Sequence, residues 1–296
     1  MKGHTIKEWL LVTRPWSFPA SSMPVIVTIA YLWSQGIEIS WCLGIMALVN
    51  IILVHAAGNV WSDYFDYKKG VDADDTYGVR ILTDKQFTPK QVLTLSVTLQ
   101  VLAIGMGVVM VWLTGITLLW FGIAGIALSL LYPPLKYAAL GDLVIMACYA
   151  ILPMLGTTFI CSGVVVPEVL WLAVPVGSIT VAILHVNNAR DIETDRRAGI
   201  QTFAILTGRP TAINVYLFEL IMPYCWLLAI VLLGMVSPWA LAAVITLPLA
   251  IGNCKKMLSC RTEGIKAIAK LDEATAKLQL AFSLTLTIGL IIEALT

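Results

Sequence analysis

Apolar residues fill this chain in long runs, each broken by a short polar stretch. Crossing the hydrocarbon core of a bilayer as an α-helix takes about 20 such residues. Nine runs approach that length, at 16–34, 41–60, 92–113, 116–132, 142–162, 167–186, 211–233, 236–252 and 275–295. The third and fourth meet near Thr114-Gly115 and the seventh and eighth at Ser237-Pro238, so both pairs read as tight hairpins. The pattern predicts an all-α, polytopic membrane protein with nine transmembrane helices in one domain spanning residues 1–296.

Composition strengthens that reading. The chain is 59% hydrophobic and 12% charged, with a mean hydropathy of +0.87, where a soluble domain carries about 25% charged residues. Its six cysteines show no C-x-x-C spacing and sit mostly in apolar runs, so they read as small helix-packing side chains. The N-terminal string M-K-G-H-T-I-K-E-W lacks a short apolar stretch ending in a cleavage site. The first run therefore predicts a retained helix.

A net charge of +1 identifies no partner, and no nucleic-acid partner is expected. The distribution of charge is more informative. Lys2, Lys7 and Arg14 precede the first run; Lys68, Lys69, Arg80, Lys85 and Lys90 separate the second from the third; Lys136 follows the fourth. Arg190, Arg196, Arg197 and Arg209 follow the sixth, and Lys255, Lys256, Arg261, Lys266, Lys270 and Lys277 lie between the eighth and ninth. Nine spans put every one of them on one side, which the positive-inside rule makes cytoplasmic. The expectation is a multi-pass protein of the cell (inner) membrane with its N-terminus inside and its C-terminus outside. The opposite connections, around Gln35–Ser40, Gly115 and Ser162–Glu168, are short and nearly uncharged.

Two acidic strings stand on the basic side. N-V-W-S-D-Y-F-D-Y-K-K-G-V-D runs from Asn59 to Asp72, and N-N-A-R-D-I-E-T-D-R-R-A-G from Asn187 to Gly199. Both contain Asn-x3-Asp, and each follows an apolar run, the second and the sixth. An interval of four helices predicts parallel repeats about the membrane normal, roughly 10–135 and 140–255, with a ninth helix at about 275–295. On a helix, residues three or four apart share a face. Asn59, Asp63 and Asp66 then form one stripe, and Asn187, Asp191 and Asp195 another. Carboxylates so placed repel unless a cation joins them, and Mg²⁺ favours one or two carboxylates plus phosphate oxygens. Two stripes facing one cavity suit two Mg²⁺ ions bridged by a diphosphate, with Asp72 joining after the turn at Gly70. The alternative is that these are solvated loop acids.

The neighbouring bases Lys68, Lys69, Arg80, Arg190 and Arg196 are either phosphate ligands or orientation signals. Leu131-Tyr132-Pro133-Pro134-Leu135-Lys136-Tyr137 closes the fourth run on the same side; its prolines predict the helix end. Tyr132 and Lys136 then flank the acids, as site residues or as ordinary interfacial anchors. His55 and His185 near the Asn residues read as acceptor contacts or packing groups. Glu219, inside the seventh run, reads as paired or protonated.

These motifs resemble the UbiA superfamily of intramembrane prenyltransferases. Asn59…Asp63-x2-Asp66 with Asp72 is similar to its first aspartate-rich motif, Asn187…Asp191-x3-Asp195 to its second, and Tyr132-x3-Lys136 to its Tyr-x3-Lys motif. The resemblance implies a helical bundle around a cytoplasmic-side cavity open to lipid, two Mg²⁺ ions, an isoprenyl diphosphate donor and an aromatic acceptor. It implies metal ligation by Asp63, Asp66, Asp72, Asp191 and Asp195. Diphosphate contacts would come from Asn59, Lys68, Arg80, Tyr132, Lys136, Asn187 and Arg190. Asp63–Asp72 and Asn187–Gly199 look most like the 1,4-dihydroxy-2-naphthoate polyprenyltransferases of menaquinone synthesis. Ser62 and the displaced Asp72 depart from the compact N-D-x2-D-x3-D of the hydroxybenzoate enzymes. Hydroxybenzoate, homogentisate, chlorophyll and glyceryl-phosphate acceptors stay open. A secondary transporter is the competing class, but its acids usually lie nearer the bilayer midplane. A phosphatidyltransferase would carry D-x2-D-G-x2-A-R, which is missing here.

Overall fold

The computed structural model describes residues 4–71 and 81–296. Among these are thirteen α-helices and one isolated parallel bridge, Ala138 to Gln201. α1 (Ile6–Val12) starts with a capping box between Thr5 and Glu8. α2 (Pro19–Ser34), α3 (Trp41–Lys69), α4 (Pro89–Thr114) and α5 (Thr117–Lys136) are the first four long helices. α6 (Gly141–Met146) passes through a π-helical turn, Ala147–Ile151, into α7 (Leu152–Ser162). α8 (Leu170–Arg190) is followed by the short α9 (Ile192–Arg197) and α10 (Phe203–Thr207), then α11 (Arg209–Leu232). A 3₁₀ helix, Pro238–Thr246, feeds α12 (Leu247–Glu263), and α13 (Leu271–Leu295) ends the chain.

Eight segments among the described residues have the length and composition to cross a membrane. The first expected span, α2, has 16 residues, or roughly 24 Å at 1.5 Å per residue, and falls short of the other eight.

The prolines behave differently from the sequence expectation. Pro133 and Pro134 lie inside α5, which continues to Lys136. Pro134 cannot donate to the Leu130 carbonyl one turn back, and Trp61 Nε1 from α3 takes that carbonyl instead, at 3.1 Å. At Pro153 the same steric problem, a ring against the carbonyl four residues earlier, coincides with the wider π-helical turn.

α8 is the most buried long helix. Leu172, Val176 and Ile179 from it meet Ile213, Tyr216 and Leu220 of α11 and Phe282 of α13 in the main core. α13 also packs on α2 and on the 3₁₀ helix. That last contact is so close that a Cβ on Gly289 would strike the Trp239 carbonyl. α3, α4 and α5 pack together with far less buried surface. Trp112 of α4 is 83% exposed, as suits a side chain facing lipid.

Candidate active site

The space between the α3–α5 side and the α8 side is a cavity of about 1020 Å³. Its walls are mostly apolar, from α3, α4, α5 and α7. At one end the wall turns polar: Arg14, Asn59, Asp66, Tyr132, Lys136, Asn187, Arg190, Asp191, Asp195 and Asp272 all line it. The backbone helps join the two sides there. Gln201 N donates to the Tyr137 carbonyl at 2.9 Å, and Ala139 N to the Gln201 carbonyl at 2.8 Å.

The first acidic set lies on one unbroken helix. α3 continues past Asp66 to Lys69 and stops at Gly70, whose φ of 74° satisfies a left-handed helix cap. Asp63 and Asp66 are both buried. They also sit near the negative end of the helix dipole, where carboxylates are disfavoured, so their partners matter. Asp66 accepts from Lys136 Nζ at 3.1 and 3.3 Å, from Tyr137 Oη at 2.7 Å and from Ser62 Oγ at 3.2 Å. Asp63 pairs with Arg14. The cavity wall is formed by Arg14 and not by Asp63, because the helix turns Asp63 toward the segment between α1 and α2. Arg14 holds φ 56° and ψ 60° there. Asn59 Nδ2 donates to the Thr13 carbonyl and to Ser17 Oγ, both at 3.0 Å.

The second set breaks the single helical stripe that its spacing suggests. α8 ends at Arg190, and Asp191 is the joint between α8 and α9. Asp195 N still donates to the Asp191 carbonyl at 2.9 Å, so the two acids remain one turn apart. Arg190 grips Asp191 with Nε at 2.8 Å and Nη2 at 2.9 Å. Its Nη1 reaches Asp272 at 3.3 Å and the Ala269 carbonyl at 3.3 Å. Burial pushes Asp195 up to about 7, with the nearby Asp191 and Asp66 adding to the rise against the pull of Lys136 and Arg190. Asn187 Oδ1 is buried without a hydrogen bond.

Three expected residues are placed otherwise than a simple facing stripe would have them. Asp63 stands behind Arg14. Lys68 is exposed, with Nζ 4.9 Å from the Tyr64 ring centre, and does not line the cavity. Arg190 lines the cavity, but its guanidinium is engaged by two carboxylates and a carbonyl. Asp72 and Arg80 lie outside the described residues. Three groups gained importance. Arg14 counts in the sequence only as an orientation charge, Asp272 carries no sequence-based reading, and Tyr137 follows the motif that carries Lys136. Their partners lie 49 to 71 residues away in Arg14 and Tyr137, so no local pattern marks them.

His55 Nδ1 is 2.8 Å from Ser21 Oγ and its Nε2 is 3.3 Å from Ser17 Oγ. His185 is fully buried, with Nδ1 3.6 Å from Asp142 Oδ2 and 3.5 Å from Glu219 Oε1.

Among the described residues no three His, Cys, Asp or Glu side chains form a ready metal cage. That suits Mg²⁺, which takes one or two carboxylates and completes its shell with water and substrate phosphate. The mutual repulsion of Asp66, Asp191 and Asp195 is relieved by a divalent ion, so the donor set fits one.

A bundle of membrane-length helices, with acids and bases gathered at one end of an apolar cavity, defines an integral-membrane enzyme for substrates that join a charged head to an apolar body. Residues 22–272 match the UbiA prenyltransferase family. The UbiA prenyltransferase domain-containing protein 1 of Danio rerio is 33% identical over 96% of this chain and 84% of its own length. The chain belongs to the UbiA prenyltransferase family and is a polyprenyltransferase. In fold it is similar to a UbiA homolog from Aeropyrum pernix K1, with TM-score 0.70 and 17% identity over 98% of this chain and 99% of that one. It is also similar to a UbiA homolog from Archaeoglobus fulgidus bound to GPP and Mg²⁺, with TM-score 0.63 and 13% identity over 95% of this chain and 99% of that one.

Proposed function

We propose that the protein transfers a polyprenyl group from an isoprenyl diphosphate to an aromatic acceptor, 1,4-dihydroxy-2-naphthoate, with loss of CO₂. The observation that carries this reading is the charged end of the cavity, Asp66, Asp191 and Asp195 with Lys136 and Arg14, joined to an apolar remainder. Along α3 the lining runs from Asp66 to Ala47, roughly 28 Å at 1.5 Å per residue, long enough for several isoprene units.

Asp66, Asp191 and Asp195 would hold Mg²⁺, two ions in the fullest arrangement, with Asp63 and Asp72 as further candidates. Bound there, Mg²⁺ supplies Lewis-acid charge to the diphosphate oxygens. Lys136 and Arg14 neutralise the leaving diphosphate as the allylic C–O bond breaks and its electron pair departs with the oxygen. The apolar wall keeps water from the allylic cation. A ring carbon of the acceptor then forms the new C–C bond, and loss of the carboxyl group as CO₂ restores aromaticity. Asn187 Oδ1 offers an acceptor for a substrate hydroxyl. The metal in the Archaeoglobus homolog supports divalent-ion use here, and the wording of the two aspartate strings supports the naphthoate. We also infer that the charged end is cytoplasmic and that the two four-helix halves are parallel repeats, from the basic residues and the repeated frame.

Mass spectrometry of products tests the acceptor. Detergent-purified protein, Mg²⁺ and several isoprenyl diphosphates are incubated with dihydroxynaphthoate, hydroxybenzoate, homogentisate, a chlorophyllide and a glyceryl phosphate. Prenylated naphthol with released CO₂ is expected. Product from another acceptor alone would replace the naphthoate assignment, and no Mg²⁺-dependent product from any would sink the proposed donor and metal.

A further inference from the structure

Three carboxylates of the charged end each carry a basic partner. Arg14 pairs with Asp63, Lys136 with Asp66, and Arg190 with Asp191. The shielding is graded: the side chain of Arg190 is 4% exposed, that of Lys136 16% and that of Arg14 30%. Asp195 is the exception, with no side-chain ion pair among the described residues. The bases are therefore more than helix-end charges. They compensate acids that would otherwise repel one another in a site with little water.

We propose that Lys136 is a resident counter-ion that divalent metal displaces from Asp66 and that then turns to the diphosphate, joined there by Arg14, which lines the cavity in front of Asp63. The inference rests on the diphosphate reading above. Asp195, without a resident base, is the first point of metal entry. Taking Asp66 for metal alone strands an ammonium in a shielded site, which is costly. When diphosphate arrives with the metal, the stranded Lys136 gains phosphate oxygens, its preferred anionic partner. Metal and diphosphate thus each prepare the site for the other. Neither binds well alone, so the ligand-free enzyme does not fill with metal in the absence of donor. Arg190 differs, because Asp272 and the Ala269 carbonyl also hold it; it stays in place as the support of Asp191.

Isothermal titration of the detergent-purified full chain with Mg²⁺, with and without inorganic diphosphate, tests this after correction for metal–diphosphate complex in solution. In the unaltered protein, diphosphate should tighten Mg²⁺ binding by about 100-fold, near the top of usual coupling between ligands. Direct ligation contributes to that gain, so the sign of the variant's effect decides. Lys136→Met should bind Mg²⁺ alone about 10-fold more tightly, yet bind it more weakly than the unaltered protein once diphosphate is present. Arg14→Gln should show the same reversal more weakly, and Lys136→Arg, which keeps the charge, should show none. Tighter Mg²⁺ binding in both conditions for Lys136→Met and Arg14→Gln would overturn the exchange while leaving the diphosphate site intact. No effect of diphosphate on Mg²⁺ binding in the unaltered protein would overturn the diphosphate reading itself, and the exchange with it.

Discussion

The two acidic strings share a frame but are built by opposite means. On α3 the carboxylates ride a continuous helix and are held by distant residues, Arg14, Lys136 and Tyr137. At the end of α8 the helix breaks at Asp191, and the clamp is the adjacent Arg190, itself anchored to the start of α13. The first half depends on how the bundle packs, and the second on local chain geometry plus one long-range tie. Asn59 and Asp66 therefore reach the cavity from an unbroken helix, and Asn187, Asp191 and Asp195 reach it across a break.

If both halves are equal parts of the site, one change in each should be equally damaging. Asp66→Asn and Asp191→Asn are expected to lower Mg²⁺-dependent prenyl transfer by about 10²- to 10³-fold, the scale for losing a preorganised electrostatic group. Asp63→Asn, behind Arg14, should cost about tenfold less than Asp66→Asn by the same measure. An assay on purified variants decides, and an Asp63 effect as large as that of Asp66 would place both acids on metal.

The histidines extend the contrast. His55 is held by two serine hydroxyls, while His185 lies between two carboxylates inside the bundle. Removing one partner of a buried charged group costs about 3–5 kcal/mol, so His185→Leu should lower the thermal unfolding midpoint of purified protein sharply. Replacing His55 with Ala should cost less, as the loss of hydrogen bonds worth about 1 kcal/mol each. Equal shifts would mean that His185 is no more than a packing group.

Much of this was legible in the chain because it depends on local pattern. Long apolar runs predict helices whatever surrounds them, and Asp66, Asp191, Asp195 and Lys136 stand on the residues that the spacing marks. Arg14 and Tyr137 were hidden, since their value lies in meeting acids far along the chain. Pro133 and Pro134 misled for a similar reason: Trp61, from another helix, satisfies the carbonyl that proline leaves open. The break at Asp191 was invisible because an i to i+4 relation survives it.

Acidity separates the halves more finely. Burial pushes the Asp195 carboxyl up to about 7, above the ordinary carboxylate value of about 3.9. The folded, metal-free protein therefore holds a proton that the unfolded chain has lost between those values. The contribution to stability is full below about 4 and declines as pH rises toward 7. Metal binding runs the other way, because the ion needs the carboxylate. Apparent Mg²⁺ affinity should fall about fivefold from pH 7 to pH 6, with proton release on binding. Calorimetry in buffers of different ionisation heat measures that release. Loss of the pH dependence in Asp195→Asn would locate it in the second half, and its persistence would move it elsewhere.

The smallest expected effect tests why α5 stays helical where α8 does not. Trp61→Phe keeps an aromatic ring on α3 but removes the Nε1 donor, leaving the Leu130 carbonyl with no partner from that side chain. One hydrogen bond is worth about 1 kcal/mol, so the unfolding midpoint should fall only slightly. Activity should fall by more than stability suggests, because the last turn of α5 carries Tyr132 and Lys136 to the charged end. The loss should appear as weaker binding of the donor, with KM raised and kcat nearly kept, since Lys136 is displaced and not removed. If Trp61→Phe changes neither KM nor the midpoint, the two prolines hold the turn by their own geometry. The first acidic set would then depend less on distant contacts than its hydrogen bonds imply.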